Sequence, residues 1–412
     1  MKKLLLFVLF VFGSSFASMI GVEALGEEHV MGGTASAAGR GFAGNAKAGD
    51  AEGLSVVNPA RLAFDVKVVF NLNFLIEMDA ARNDGDHYTA NNIALPSFNL
   101  SFPMGNWGAM GLSLWQHYAT TVNEEFEDSE NSSDVKIEYQ GSVYELVPAY
   151  AVRLPIFRSL SLGGAAHFVM GNTSRELTLG GNTSAVAAED AWGAGSYKIS
   201  DYVDGTWEIK NHPAYYTASL QYRGKQVSYF FSFTTGYTLQ NELSYNFRFS
   251  EADTLAATHY TREIDVPALL ATGINYRLAK RHNVMADLHW RAWDSDIENL
   301  GGGWNIPEVT ETQKDFMISL GYQCDGSPLF YESYFKRINY RVGTWYRNWY
   351  VKDVFEIGGS LGGGFPLGRK GTTLDLAFQG GKRFADTDQQ WEEFFISARI
   401  GLTGIATWGM GR

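Results

Sequence analysis

Cysteine is almost missing: Cys324 is the only one in 412 residues. That excludes an internal disulfide framework and any metal site built on several thiolates. Long apolar runs are also scarce. Beyond the first twenty residues no segment offers 18 consecutive apolar side chains, so no helix is expected to cross a bilayer. Positive charge is in short supply, with 33 Lys and Arg against 45 Asp and Glu and a net charge of −12. A nucleic-acid partner calls for a basic footprint and is not expected. The motifs H-E-x-x-H and G-x-x-x-x-G-K-[ST] are missing. No catalytic residue, metal or cofactor is indicated, and an enzyme is not expected.

What is present begins with an export signal. Lys2 and Lys3 precede an apolar run from Leu4 to Phe12, and Ser15-Phe16-Ala17 fits a small-x-small cleavage site. Residues 1–17 therefore read as a secretory signal peptide. An exported chain without an apolar helix is either soluble or a closed β-barrel, the other structure that spans membranes.

Composition and pattern favour the barrel. The chain holds 45 Gly, 21 Tyr, 27 Phe and 11 Trp. After residue 65 apolar and polar side chains alternate. Phe394, Ile396, Ile400 and Leu402 oppose Ser397 and Arg399, and Val284, Leu288 and Trp290 oppose Asp287, His289 and Arg291. Alternate side chains of a strand face opposite sides, here lipid and lumen. About fourteen such segments are found, at 66–78, 93–102, 107–118, 143–154, 158–175, 213–223, 226–249, 262–279, 281–293, 313–323, 338–346, 354–367, 371–381 and 391–404. Tight turns such as Pro103–Asn106 and Gly224–Lys225 alternate with long polar connections at 79–92, 119–142, 176–212, 250–261 and 294–312. Short periplasmic turns and long external loops are the outer-membrane arrangement, with both termini periplasmic. One long connection, 324–337, falls in a slot where a tight turn is expected. The fold class expected is all-β: a transmembrane antiparallel barrel of about fourteen strands, residues 66–412.

Residues 39–44 read GRGFAG, the G-x-G-x-x-G spacing of a dinucleotide fingerprint, with Gly39, Gly41 and Gly44. The context fails, because GGTASAAGR before it is no strand and no βαβ unit surrounds it. The steric reading is better. A segment of Gly and Ala packs closely on other backbone, so residues 18–65 are expected to fold into the lumen as a plug. The run GRGFAGNAKAGDAEGLSVVNPARLAF, residues 39–64, resembles the N-terminal signature of the FadL/TodX family of outer-membrane transporters. The matching positions are Gly41, Ala43, Gly44, Ala46, Asp50, Ala51 and Asn58-Pro59-Ala60, with Arg61 where the family has glycine. MADLHWRAWDS, residues 285–295, resembles a strand of the same family. The resemblance implies a fourteen-stranded barrel with an N-terminal plug, a monomer in the outer membrane of a Gram-negative-type bacterium. It implies passive movement of hydrophobic compounds such as long-chain fatty acids, among outer-membrane lipid. Some relatives serve protein secretion, so a platform for a secreted protein partner is an alternative, and a general porin another.

Candidate site residues fall in two groups. Gly39, Gly41, Gly44, Asn58, Pro59 and Ala60 are candidates for the plug and its gate, Pro59 fixing the entry to the first strand. For Asn58-Pro59-Ala60 the plain alternative is a turn. Asp287, His289, Arg291, Arg341, Asp375 and Arg399 fall on the expected lumen face. They form either an ion-pair network holding the plug or, through Arg291 or Arg341, a seat for a ligand carboxylate. Trp345-Tyr346, Trp349-Tyr350 and Trp290/Trp293 read as interface-belt aromatics, and Trp408 as the terminal aromatic.

Overall fold

A computed structural model describes residues 25–29, 33–47, 53–83, 86–128, 133–181, 202–247, 258–298, 309–368, 371–385 and 391–406. The expected signal peptide and Trp408 lie outside them. The chain forms a closed antiparallel barrel of 14 strands. They are β1 (Val68–Asn83), β2 (Asp86–Pro103), β3 (Ala109–Asp128), β4 (Ser133–Arg153), β5 (Leu160–Gly181), β6 (Tyr202–Ile209 and Ala214–Arg223) and β7 (Val227–Thr234 and Tyr237–Phe247). There follow β8 (Thr258–Val266 and Leu269–Ala279), β9 (His282–Arg291), β10 (Asp315–Cys324), β11 (Asn339–Asn348), β12 (Val354–Pro366), β13 (Thr373–Ala385) and β14 (Trp391–Ala406). β1 and β14 close the wall, from Val68 opposite Ala406 to Arg82 opposite Glu392.

β6, β7 and β8 are each broken once, at neighbouring positions, yet both halves stay in the ladder. Pro213 and Pro267 stand in two of the breaks, where a missing N–H removes a ladder bond. Gly236 stands in the third.

Burial is inverted relative to a soluble protein. Ile396, Leu361, Phe378 and Phe394 are exposed on the outer face, whereas Arg383, Glu393, Glu145 and Gln221 are buried inside. An apolar exterior around a polar interior is what lipid requires of a barrel. The protein is therefore an outer-membrane barrel.

The periplasmic strand ends lie close to the expected boundaries, but the other ends run on. The expected loop 119–142 is mostly the hairpin of β3 and β4, paired out to Asp128 and Ser133, and 79–92 is mostly the hairpin of β1 and β2. Toward these ends the sequence alternation stops while backbone pairing continues. The belt reading of the aromatic pairs is corrected in part. Trp345, Trp349, Tyr350 and Trp293 are buried inside, and only Tyr346 and Trp290 face outward. Adjacent strand residues point to opposite faces, so Trp345 and Tyr346 cannot both meet lipid.

The described parts of the N-terminal segment contact inward-facing residues of the wall. Glu27–Glu28 is extended and pairs with β3. A short helix, α1 (Ala35–Ala38), follows, capped by Thr34, whose hydroxyl accepts from the Ala37 amide. A 3-10 helix, Pro59–Phe64, then leads into β1, with Pro at its start where a missing N–H costs nothing.

Candidate functional site

The site is the junction of the N-terminal segment with the inner wall. The glycines of GRGFAG make it possible. Gly41 has φ +62, and a Cβ there would lie 2.6 Å from the Thr344 amide nitrogen. Gly44 has φ +107. Its amide and that of Asn45 both donate to Asp287 Oδ2, at 3.1 and 2.9 Å, and the Asn45 side-chain amide adds a third bond at 3.0 Å. The turn that resembles a phosphate cradle thus holds a carboxylate of the barrel's own wall.

Asn58-Pro59-Ala60 forms a second attachment. The Asn58 side-chain amide donates to Gln221 and to the Asn45 carbonyl at 2.8 Å. The Ala60 amide donates to Ser219 Oγ at 2.8 Å, and Ser161 Oγ donates to the Ala60 carbonyl at 2.9 Å. Asn58→Ala removes two of these bonds and leaves the Gln221 oxygen without that donor. A loss of about 2 kcal/mol is expected, read as a lower Tm by calorimetry in detergent.

Nearer the external side, charge takes over. Glu28 receives Arg291 and Arg347 on its carboxylate and His117 Nε2 at 2.9 Å. His117 also bonds Glu145, which accepts from His167 Nδ1 at 2.9 Å and from the Tyr215 hydroxyl. A second hub is Arg383. It meets Glu27 at 2.8 Å, Glu356 at 2.9 Å, Asp79 at 3.1 Å and Glu77 at 3.5 Å, and also pairs with Glu393. Trp349 lies under both Arg347 and Arg383, at 5.4 Å from each.

Burial by itself would raise the Glu28 pKa. The cations Arg291 and Arg347, helped by His117, outweigh it and hold the carboxyl well below the usual range. Because the folded value is depressed, the stabilisation is complete above the unfolded value of about 4.3. It is lost as pH falls through the folded value. The N-terminal segment should accordingly stay seated through neutral pH and loosen only well below pH ~4. Glu28→Gln should loosen it at pH ~7 and flatten the dependence, measured as proteolytic nicking against pH.

All twelve expected site residues are buried on the lumen side or in the segment that fills it. Gly39 packs on Gly362 of β12. Arg291 is engaged by Glu28 and by the Tyr118 hydroxyl at 3.2 Å, and Arg341 by Asp375 at 2.6 Å. Arg399 donates through Nε to Gln379 at 3.0 Å, and its Nη1 has no partner among the described residues. His289 Nε2 is likewise unpartnered. Sequence reasoning missed Glu28, His117, Glu145, Arg347 and Arg383. Arg347 and Arg383 share the strand parity of Arg341 and Asp375, so alternation already placed them inside.

The seam between β2 and β3 is incomplete. β2 and β3 pair only from Ser97–Trp115 down to Pro103–Ala109, and above that each continues with its other neighbour. The extended segment occupies that free edge of β3: Glu27 lies opposite Ala119, Glu28 opposite Tyr118, and the His29 amide donates to the His117 carbonyl at 2.8 Å.

A sequence profile described as BamG matches residues 25–410. The chain belongs to the BamG family. No curated protein matches it by sequence. Solved structures share the fold of this BamG-family barrel. A Pseudomonas aeruginosa FadL homologue superimposes with a TM-score of 0.64 at 14% identity, covering 93% of this chain and 100% of its own. The P. putida toluene transporter TodX gives 0.59 at 13% identity over 92% of this chain and 99% of its own. The Ralstonia pickettii toluene transporter TbuX gives 0.56 at 13% over 91% and 98%. The FadL/TodX resemblance read from the N-terminal signature thus extends to the architecture of the BamG-family chain.

Proposed function

We propose that this barrel is an outer-membrane passage for hydrophobic compounds, with residues 25–65 as its gate. The observation that carries the reading is the β2/β3 seam, unpaired above Ser97 and occupied by Glu27–His29. An apolar groove of about 910 Å³ lies at the periplasmic foot where the segment meets β2 and β3, with Ala63 on the inner side and Met110 and Leu112 on the outer face of the wall. Fold-level likeness to a FadL homologue and two toluene transporters is consistent with such cargo. Passage needs the gate to move, because two cavities among the described lumen residues hold only about 30 and 20 Å³. Movement down a gradient is sufficient. Arg399, with a buried nitrogen lacking a partner among the described residues, is the cation best suited to a carboxylate.

The same tight filling favours a second reading, a closed barrel serving as a platform for a secreted protein. Deleting residues 32–60 separates the two. A gate predicts faster uptake of a fluorescent fatty acid into proteoliposomes, with the barrel still folded by heat-modifiable gel migration. Unchanged uptake, with a partner protein still captured, would favour the platform.

A further inference from the structure

The connection between β10 and β11 is long at the end where the other described turns are short. It carries a helical turn, α2 (Tyr334–Arg337). At its far end the segment reaches the outer face of the wall. Tyr340 faces outward from the wall, and its hydroxyl donates to the Phe335 carbonyl at 3.0 Å. Arg281 of the β8–β9 turn donates to the Lys336 carbonyl at 3.3 Å, and Arg337 donates to the Gly368 carbonyl at 3.1 Å. α2 is therefore tied at the barrel foot across neighbouring turns, with Phe335 beside the outward-facing Tyr340.

Its surface is apolar and cationic together. Phe330, Tyr331 and Phe335 are 59%, 74% and 74% exposed. Lys280, Arg281, Lys336 and Arg337 flank them, in a chain whose net charge is −12. Asp325, at the root of the segment, is already engaged by Lys47 at 2.9 Å and by Asn283 at 2.8 Å. Aromatic rings settle at the headgroup level of a bilayer, and cations beside them pair with lipid phosphate.

We propose that residues 325–338 form an interfacial clip on the inner leaflet of the outer membrane. Phe330, Tyr331 and Phe335 enter the boundary between headgroups and acyl chains. Lys280, Arg281, Lys336 and Arg337 hold phospholipid phosphates. The clip is independent of what the barrel carries.

The test uses the full chain with Cys324→Ser, spin-labelled at Phe335→Cys, in nanodiscs of phosphatidylethanolamine and phosphatidylglycerol. A label at Lys225→Cys, on another turn, is the aqueous reference. Collisions of the 335 label with a water-soluble nickel chelate should be about fivefold fewer than at 225, while collisions with oxygen rise. Replacing the four cations by Gln, or using nanodiscs of a phosphate-free glycolipid, should restore nickel access. Equal nickel access at 335 and 225 would overturn the clip. Shielding that appears only with a co-purifying protein would overturn it in favour of a protein partner. Shielding that survives both removal of the cations and removal of phosphate would overturn the phosphate assignment.

Discussion

Arg383→Met is expected to release the N-terminal segment. The Arg383 guanidinium is buried among five carboxylates, of which Glu77, Asp79, Glu356 and Glu393 belong to the wall and Glu27 to the segment. Breaking a buried pair by removing one partner costs about 3–5 kcal/mol, because the other charge is left uncompensated. The wall carboxylates cannot leave, since each sits in a strand paired on both sides. Glu27 can, because its strand is a two-residue addition to the edge of β3. The readout is trypsin cleavage at Arg40, Lys47 and Arg61, all buried in the native arrangement. Cleavage in the variant, with heat-modifiable migration retained, is the expected result. Arg383→Lys should fall between, because an ammonium lacks the planar fork that reaches several carboxylates at once. A trypsin-resistant Arg383→Met protein with an unchanged Tm would rule the hub out as the latch.

Gly343→Val should have a comparable effect by a different route. A Cβ on Gly343 would overlap the carbonyl carbon of Arg40 and the amide nitrogen of Gly41. Those are backbone atoms of the segment, not a side-chain tip that can swing away. Overpacking typically costs about 1–3 kcal/mol, and an immovable neighbour puts this site at the top of that range or above. The segment should lift away, losing the Gly41 amide bond to Ser360 at 2.9 Å and the Arg40 bond to Gln323 at 2.8 Å. Planar-bilayer conductance should rise above a nearly silent wild type. Gly359→Val, where the nearest neighbouring atom is 3.7 Å away, should leave conductance unchanged. A silent Gly343→Val barrel would mean that the segment tolerates displacement without opening a path.

Much of this arrangement was legible in the sequence, for reasons particular residues make plain. Asp287, His289 and Arg291 could be placed inside because Val284, Leu288 and Trp290 alternate with them against lipid. Outside the membrane that contrast vanishes, which is why the upper halves of β3 and β4 read as a loop. Gly39, Gly41 and Gly44 signalled close backbone approach, but not the surface approached, since Gly343 and Gly362 lie some 300 residues on. The same separation hid the latch. Glu28 and Arg383 each look ordinary in their own windows, and only barrel closure brings Glu28 to Arg347 and Glu27 to Arg383.

The position of the segment ahead of β1 also constrains how the barrel is built. It touches β3 through Glu28, β9 through Asp287, β6 through Gln221 and β12 through Ser360, so its contacts surround it. Seating it before β1 meets β14, the pairing that runs from Val68–Ala406 to Arg82–Glu392, lets each of these contacts form while the lumen is still open. A segment seated in that order serves as a mould for the last strand, and closure of the β1–β14 seam then fixes the interior.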